Sequence, residues 1–269
     1  MTEPIFELND IVVTVNHGTP EQINIMDHVN LSVFPGDFIT ILGSNGAGKS
    51  TLFNVIGGNL PVTSGQILLN GKDITNMSVE KRTRFLSRVF QDPKMGTAPR
   101  MTVAENLLLS EKRGQRRGFA PCHLKTHMDK FKQITSVMNN GLEHRLNTAT
   151  GKLSGGQRQA LSFLMATIKR PDILLLDEHT AALDPQTSQE LMTATNDQIT
   201  RNHLTCLMIT HHLDDALKYG NRLIVLDNGR ITYDIAGDEK DNLTKEELLS
   251  FFNDIEEQCT MAFINEMSM

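Results

Sequence analysis

The sequence predicts an α/β fold with a mostly parallel sheet, a small antiparallel β element and an inserted α-helical subdomain. Short apolar runs of strand length alternate with helical patterns near the start of the chain and again after residue 153. Such alternation is typical of a parallel sheet covered by helices. Between the two parts, residues 92–152 are more polar and carry helical spacing, which predicts the helical insertion.

Three β-rich runs open the chain, and a helical pattern follows the third. The predicted strands are Ile11 to Val15, Leu31 to Val33 and Phe38 to Leu42, and the predicted helix is Ser50 to Ile56. A further apolar run, Gln66 to Leu69, leads into Asn70-Gly71, a dipeptide that favours a tight turn between antiparallel strands. We therefore expect the small antiparallel element here.

The insertion and the second half of the chain complete the organisation. Spacing predicts helices at Val103 to Leu109, Thr126 to Met138 and Leu243 to Phe252, and apolar runs predict strands at Ile173 to Leu176, Leu204 to Ile209 and Leu223 to Leu226. The predicted core comprises residues 1–91 and 153–237, and the helical subdomain comprises residues 92–152. A helical tail, residues 238–269, ends in the Met-rich stretch Met261 to Met269.

The composition fits a globular chain in a reducing compartment. With 269 residues, 39% hydrophobic and 22% charged, the chain can bury one large core or two small ones. The cysteines Cys122, Cys206 and Cys259 are odd in number and form no C-x-x-C pair. The sequence therefore favours neither a disulfide framework nor a zinc site.

Charge and hydropathy narrow the class of partner. A formal net charge of -6 argues against nucleic acid, because phosphate-backbone binding usually needs a basic surface. We interpret the basic run at residues 112–117 as a solvated loop, with a lipid or partner contact as the alternative. No apolar run approaches the ~20 residues that cross a bilayer, and Met1 to Asp10 lacks a signal-peptide pattern. Any membrane role is therefore expected to be peripheral.

The clearest motif follows the third predicted strand directly. Residues 43–51 satisfy G-x-x-x-x-G-K-[ST] in the strand–loop–helix context that this motif requires. Glycines let backbone N–H groups and the positive end of the following helix point at phosphate oxygens. We expect Lys49 to reach the β- and γ-phosphates of ATP and Ser50 to ligate Mg²⁺, so the core is predicted to be that of a phosphate-loop ATPase. The predicted ATP-binding residues of the loop are Gly43, Ser44, Asn45, Gly46, Ala47, Gly48, Lys49, Ser50 and Thr51.

Two carboxylates end the predicted strand Ile173 to Leu176. Because side chains alternate along a strand, Asp177 and Glu178 are expected to point in different directions. Asp177 suits the magnesium shell, through water, and Glu178 suits the general base that polarises the attacking water. Two acids could instead begin a helix, but the phosphate loop in the same chain favours catalysis.

A second loop with phosphate-binding features precedes a helical run. Ser154, Gly155, Gly156 and Gln157 offer a hydroxyl and glycine amides at a helix start, where an anion can bind. A plain helix cap would explain Ser154 alone. Since the chain already has one phosphate loop, we expect this second one to clamp the nucleotide of a partner in a two-fold, ATP-bound homodimer.

This set of motifs resembles the ATP-binding-cassette family. The matching segments, in the family's order, are the phosphate loop, Leu153 to Gln157 as the signature, Asp177-Glu178, Ala182 to Asp184, and His211. The resemblance covers about residues 5–235, and the Leu-Ser-Gly-Gly-Gln sequence separates this family from other phosphate-loop ATPases. It implies ATP hydrolysis with ATP and Mg²⁺ as cofactors.

The resemblance also implies roles for residues outside the loops. Gln91 looks like the residue that joins the core to the helical subdomain and senses magnesium and water, although it could be a surface glutamine. His211 looks like the histidine that contacts the γ-phosphate, and His212 is the competing candidate. Asp184 looks like a contact to the opposite subunit.

One departure from the family pattern concerns the adenine base. The family usually places an aromatic ring before the phosphate loop, whereas Val13 to His17 contains no Tyr, Phe or Trp. Val15 occupies that place in the pattern. Apolar contact, stacking by His17 or a residue elsewhere is expected to replace the ring, which puts base selectivity in doubt.

A chain with this cassette can have one of three functions: a transporter motor, a soluble ATPase that acts on ribosomes or DNA, or a regulatory ATPase. The chain has one cassette and neither long coiled coils nor zinc modules, which favours transport. In family transporters a short helix of the membrane subunit docks beside the glutamine loop, here Gln91 to Met101 followed by Thr102 to Leu107, where two methionines suit an adaptable contact.

The resemblance finally implies an assembly and a direction of transport. A free cassette favours an importer at the cytoplasmic face of the membrane, with separate permease subunits and an extracytoplasmic binding protein. The runs Asp177 to Pro185, Phe90 to Pro93 and Lys218 to Arg222 resemble bacterial ATPases of this kind, some of which are proposed to carry aromatic amino acids.

Overall fold

The computed structural model describes residues 3–16, 18–115 and 123–251. In chain order the strands are β1 (Phe6–Val15), β2 (Ile23–Val33), β3 (Phe38–Leu42), β4 (Ser64–Leu69), β5 (Lys72–Asp73), β6 (Leu86–Val89), β7 (Ile173–Asp177), β8 (Cys206–Ile209), β9 (Arg222–Asp227) and β10 (Arg230–Ala236). The helices are α1 (Lys49–Gly57), α2 (Val79–Arg82), α3 (Val103–Glu111), α4 (Met128–Ser136), α5 (Gly155–Thr167), α6 (Pro185–Arg201), α7 (Leu213–Lys218) and α8 (Asp238–Asp241).

A six-stranded sheet in the order β10-β9-β3-β8-β7-β6 forms the centre of the molecule. Its neighbours pair in parallel, except for the antiparallel pair β9 and β10. The mostly parallel sheet predicted from the sequence is therefore confirmed. Leu174 and Leu176 of β7 pack on one face, and Ile173 and Leu175 pack on the other, which explains why the strand is apolar throughout.

A second, antiparallel sheet has the order β2-β1-β4-β5. The predicted turn lies between β4 and β5, where Asn70 and Gly71 both have positive φ, 49° and 69°. Two consecutive positive φ values are what a tight hairpin turn requires. This sheet packs with α1 against the central sheet through a shared apolar cluster.

The segment between β6 and β7 is helical, as expected. Val103 begins α3 as predicted, because Thr102 and Glu105 form a reciprocal capping box. The predicted helix Thr126 to Met138 is a single 3-10 turn, Leu124–His127, followed by α4. Of the described helices, none combines the length and apolar character needed to cross a bilayer.

The basic run at residues 112–117 is not simply a solvated loop, so that interpretation is wrong for Arg113. Its guanidinium donates to the Ser87 hydroxyl and to the carbonyl oxygen of Lys169, the latter at 2.8 Å. Arg113 therefore joins the end of α3 to β6 and α5. The run's last two arginines lie outside the described residues, as do Cys122, Cys259 and Met261 to Met269.

The C-terminal part of the described chain packs beside β9 and β10. Residues 245–251 are helical, within the predicted helix that begins at Leu243. Leu248 is buried in a small cluster with Leu223 and Ile235, and Phe251 stacks on Tyr233 with 4.1 Å between ring centroids. Residue 252, the last of the predicted helix, is not among the described residues.

Arg82 fastens the helix of the phosphate loop to the antiparallel hairpin. It is 2% exposed and donates to five carbonyl oxygens at 2.7 to 3.1 Å, those of Val55, Ile56, Ile74, Thr75 and Met77. Val55 and Ile56 lie at the end of α1, where carbonyl groups lack helical partners and a cation is favourable. This one side chain therefore anchors α1.

We predict that Arg82→Met lowers the free energy of unfolding by about 3–5 kcal/mol, because buried carbonyl groups lose their donor. Urea denaturation followed by circular dichroism measures this. Arg84→Met is the matched control: Arg84 is exposed, so its loss should change stability by less than about 0.5 kcal/mol. Equal stabilities of the two variants would contradict the role given to Arg82.

Candidate functional site

The phosphate loop leaves the end of β3 and enters α1 between two close backbone neighbours. A Cβ at Gly43 would lie 2.3 Å from the carbonyl oxygen of Leu226. Gly48 has φ 102°, and a Cβ there would lie 3.2 Å from the carbonyl oxygen of Ile25. Only glycine fits both positions without displacing the backbone. The loop residues 44–46 and Ser50 are exposed and form the open surface above α1.

Lys49 lies inside the curl of this loop. Its Nζ donates to the carbonyl oxygens of Gly43 at 2.7 Å and Ser44 at 2.8 Å. Burial lowers the pKa of Lys49, and the negative charge of Glu178 opposes this effect. The residue is 6% exposed, so the ammonium is held inside the loop by the loop's own carbonyl oxygens.

Asp177 ends β7, and its carboxylate has a partner that the sequence analysis missed. Arg88 of the adjacent strand β6 donates to Asp177 Oδ2 at 2.5 Å. A second Arg88 nitrogen donates to Asn54 Oδ1 of α1 at 2.8 Å. The sequence did contain a signal for this ion pair. Arg88 is the one charged residue in the strand Leu86–Val89, and a charged residue in such a strand needs a partner when it is buried.

Glu178 follows Asp177 with an unusual backbone. Its φ is 45°, a left-handed conformation that non-glycine residues rarely adopt and that concentrates at functional sites. Glu178 Oε1 lies 2.6 Å from His211 Nε2. Of the two histidines considered from the sequence, His211 contacts the carboxylate, whereas His212 begins α7.

The next residue, His179, is buried and was not singled out from the sequence. Burial lowers its pKa to about 4, so the ring is neutral at physiological pH. Its Nε2 has no hydrogen-bond partner among the described residues. The ring borders a cavity of about 20 Å³ that Glu178, Thr210 and His211 also line. This places a neutral imidazole directly behind the Glu178–His211 pair.

The signature loop begins α5 and is well ordered by local bonds. Ser154 Oγ accepts from the amide N–H of Gln157 at 3.2 Å, and Gln157 Oε1 accepts from the amide of Ser154 at 3.4 Å. Ser154 is thus a helix cap, as the structural alternative for this residue predicted. Its neighbour Gly155 remains exposed. A Cβ at Gly156 would lie 2.4 Å from Thr187 Cγ2, so packing against α6 also requires glycine.

The structure does not bring this loop to the chain's own phosphate loop. The cavity of about 240 Å³ beside it is lined by residues of α5, α6 and the segment before α5, and no residue of 43–51 contributes to it. Asp184, at the start of α6, accepts from the amide of Thr187 at 3.0 Å, and hydrogen bonds from Thr187 lower the pKa of its carboxyl group. Ser154 and Asp184 thus cap the neighbouring helices α5 and α6, and both are exposed.

Gln91 lies two residues after the end of β6 and is exposed. The preceding carbonyl oxygen, of Phe90, accepts from Gln159 Nε2 of α5 at 3.0 Å. Gln159 is 1% exposed. The glutamine loop is therefore bonded to the helix that carries the signature, a link that the spacing of the motifs did not predict.

The adenine side of the loop is aliphatic in the described residues. Val15 pairs with Ile23 across β1 and β2, and Ile23 is 61% exposed. The carbonyl oxygen of Ile25 lies beside Gly48, so the strand that carries Ile23 passes the phosphate loop. His17, the other candidate, is outside the described residues.

The donor groups fit a magnesium ion shared with a nucleotide. Ser50, Asp177 and Gln91 offer hydroxyl, carboxylate and amide oxygens, the hard ligands that Mg²⁺ prefers. No cluster of three or more His, Cys, Asp or Glu residues able to hold a metal occurs in the described chain. A protein cage is unnecessary for Mg²⁺, which is usually held by one or two carboxylates together with phosphate oxygens.

Comparison with known proteins identifies the family. Residues 26–181 match the ABC transporter family. This chain belongs to the ABC transporter family. It is 44% identical over 236 residues to a tyrosine transport ATP-binding protein of Clostridioides difficile R20291, covering 88% of this chain and 93% of that protein. It is 34% identical over 204 residues to the thiamine import ATP-binding protein of Escherichia coli K12, covering 76% and 83%.

Solved ABC cassettes have the same fold. An ATP-binding cassette of an ABC transporter in its ADP conformation superposes with a TM-score of 0.75 at 28% identity, covering 93% of this chain and 99% of that one. A dimeric cassette in a post-hydrolysis state with ADP and phosphate gives 0.73 at 26% identity, covering 86% and 98%. This ABC cassette is an ATP hydrolase and the ATP-binding subunit of a transporter.

We predict distinct defects for three substitutions in the site. Glu178→Gln should lower ATP turnover about 10²-fold or more and preserve ATP binding, because the general base is lost. His211→Ala should also lower turnover, whereas Lys49→Ala should weaken nucleotide binding itself. Phosphate release and fluorescent-nucleotide binding separate these effects. His212→Ala is the matched control for His211→Ala. Normal turnover of Glu178→Gln, or a larger defect in His212→Ala than in His211→Ala, would contradict these roles.

Proposed function

We propose that this ABC cassette powers an importer, and that two copies close around two ATP molecules in each cycle. The observation that carries the proposal is the position of Lys49, Glu178 and His211 around one phosphate loop, while the signature loop lies outside it. One chain thus has a complete hydrolytic half-site and an unused clamp. A head-to-tail pair supplies each half-site with the partner's Ser154 to Gln157.

In this pair the chain's own residues divide the chemistry. The phosphate-loop amides and Lys49 hold the β- and γ-phosphates. Glu178 orients and polarises the attacking water, and His211, bonded to Glu178, is placed to contact the γ-phosphate. When bound with ATP, Mg²⁺ neutralises charge on the phosphates; Ser50, Asp177 and Gln91 are the residues that would hold it. Asp184 faces the second subunit.

A groove between the two lobes suits the membrane subunit. It encloses about 280 Å³ between α1, α2, β6, α3 and α5. Arg82, Arg88 and Arg113 line it together with Phe90 and Met165, and its described lining contains no acidic residue. Of the residues expected from the sequence to form this groove, only Gly96 lines it, because Val103, Ala104 and Leu107 are buried in the core. Met95, the residue before Gly96, is 70% exposed.

Contacts between the glutamine loop and α5 support coupling of this groove to the signature. Besides the Gln159–Phe90 bond, Thr150, in the turn before α5, donates its Oγ1 hydroxyl to the carbonyl oxygen of Ala98 at 2.8 Å. A Cβ at Gly96 would lie 2.7 Å from Ser162 Oγ, so the loop lies directly on the helix. A partner that moves the loop would therefore move the signature with it.

The relatives support a direction and a class of cargo. Several are ATP-binding proteins of import systems, and the C. difficile relative is a tyrosine transport protein. We propose import of an aromatic amino acid by a complex with separate permease subunits and an extracytoplasmic binding protein. The cassette would act at the cytoplasmic face of the membrane. A soluble role on ribosomes or DNA has no support among these relatives.

Affinity capture of the tagged native complex from detergent-solubilised membranes tests this function. We expect a polytopic permease to co-purify and to stimulate ATP hydrolysis. The accompanying binding protein should bind tyrosine or a related aromatic amino acid, as measured by calorimetry. Recovery of soluble partners only, such as ribosomes, would contradict the transport role and leave the ATP site intact.

We predict that Gly96→Ala uncouples the glutamine loop from α5 and that Ser162→Ala restores the coupling. The added methyl group clashes with Ser162 Oγ, and removing that oxygen relieves the clash. The chain has no Trp, so Met95→Trp in the Glu178→Gln background is a clean reporter. Its fluorescence should change on ATP-driven closure, less so with Gly96→Ala, and fully again with both substitutions.

Two controls accompany this experiment. Ser162→Ala alone should respond like the parent, and a reporter at Leu249, which is 46% exposed in the C-terminal helical segment, should not respond to closure. Size-exclusion chromatography checks that each variant still dimerises with ATP. A full response of Gly96→Ala, or no recovery in the double variant, would contradict the coupling.

A further inference from the structure

Arg88 is a largely buried cation that the hydrolysis scheme does not use. It is the one charged residue of β6 (Leu86–Val89), and its side chain is 12% exposed. On one side it lines the groove described above. On the other side it pairs with Asp177 Oδ2 at 2.5 Å. Asp177 is itself 14% exposed, so solvent screens this pair only weakly.

The surroundings fix the guanidinium in this place. Asn54 accepts from it at 2.8 Å, and its Cζ lies 5.7 Å from the ring centroid of Phe53 and 5.0 Å from that of Phe90. Contacts of this kind with aromatic faces stabilise a cation when it is desolvated. Asn54 and Phe53 belong to α1, and Phe90 precedes Gln91. Three groups, two from α1 and one from the residue after β6, thus hold one positive charge beside the Asp177 carboxylate.

We propose that Arg88 is a positioning residue that lowers the affinity of the ATP site for its divalent cation. It does so in two ways: it occupies one oxygen of Asp177, and it adds a fixed positive charge beside the carboxylate. The inference rests on the proposed role of Asp177 in the magnesium shell. A metal that is held less tightly leaves more readily after hydrolysis, so Arg88 favours turnover over retention of the metal.

The sign of the effect follows from electrostatics. With the Asp177 carboxylate still in place, removing a positive charge from beside a divalent cation strengthens the attraction of the site for that cation. The opposite expectation, that Arg88 only supports the fold, predicts a lower melting temperature with no change in cation affinity. The two expectations therefore differ in a quantity that can be measured without turnover.

Mn²⁺ is a suitable probe, because its electron paramagnetic resonance signal reports the free ion; since ATP alone also binds Mn²⁺, a titration of the same ATP without protein is subtracted. The protein is the full chain with Glu178→Gln, saturated with ATP, compared with the same chain carrying Arg88→Gln, Arg88→Met or Arg88→Lys. We expect Arg88→Gln and Arg88→Met to lower the free Mn²⁺ at half-saturation by about fivefold to tenfold. Arg88→Lys keeps the charge and should stay within about twofold of the parent.

Arg84→Gln is the matched control, because Arg84 is exposed and precedes β6; its Mn²⁺ titration should equal that of the parent. Arg88→Gln retains hydrogen-bond donors, so it keeps the test open if Arg88→Met fails to fold. An unchanged or higher Mn²⁺ requirement in a folded, ATP-binding Arg88→Gln variant would overturn the proposal. Failure of the parent chain to bind ATP would instead overturn the proposed function.

Discussion

Burial of both faces of the parallel sheet is the constraint on which the site depends. The strands β3, β6, β7 and β8 run in parallel, with Ile41 and Asp177 each beside Ile209 and with Val89 beside Leu176. Their carboxyl ends therefore share one edge, and ligands of open α/β sheets bind at such an edge. The phosphate loop, Gln91, Asp177-Glu178 and His211 each follow one of these ends. Apolar packing inside the sheet thus sets the distances between the polar groups outside it.

The same constraint explains why much of the site could be predicted. The strand Phe38–Leu42 and the loop after it were predicted with the observed bounds, because a short apolar run before a glycine-rich motif has few alternative structures. Arg88 could not be placed, since its partners Asp177 and Asn54 lie 89 and 34 residues away and no local pattern joins them. The choice of His211 over His212 came from family resemblance. The contact of His211 with Glu178 could not be derived from the sequence, because it depends on the residue at which β8 ends. The left-handed φ of Glu178 likewise could not be predicted, because glutamate has no preference for this conformation.

The signature loop shows how one segment meets structural and functional demands together. Ser154 and Gln157 complete the start of α5, and Gly156 lets α6 approach, so each residue has a folding role that would suffice to explain it. Yet these bonds leave Gly155 exposed, and the exposed Asp184 begins the neighbouring α6. A rigid, capped loop loses little conformational entropy when it meets a partner's nucleotide, and such preorganisation favours binding. In the proposed head-to-tail pair, the local stability of this loop therefore favours its contact with the second subunit.

Arg88 adds a connection that the separate motifs do not reveal. It borders the groove between the lobes and contacts Asp177 at the sheet edge; the groove also contains Gly96 and Ser162, where the glutamine loop lies on α5. A molecule bound in the groove would therefore contact two sets of residues. Gly96 and Ser162 connect it through α5 to the signature loop, and Arg88 connects it electrostatically to the Asp177 carboxylate. An acidic group entering a groove lined by three arginines would compete with Asp177 for Arg88. In the proposed mechanism, where Asp177 helps to hold the metal, binding of an acidic group in the groove and binding of the metal then affect each other through this one cation.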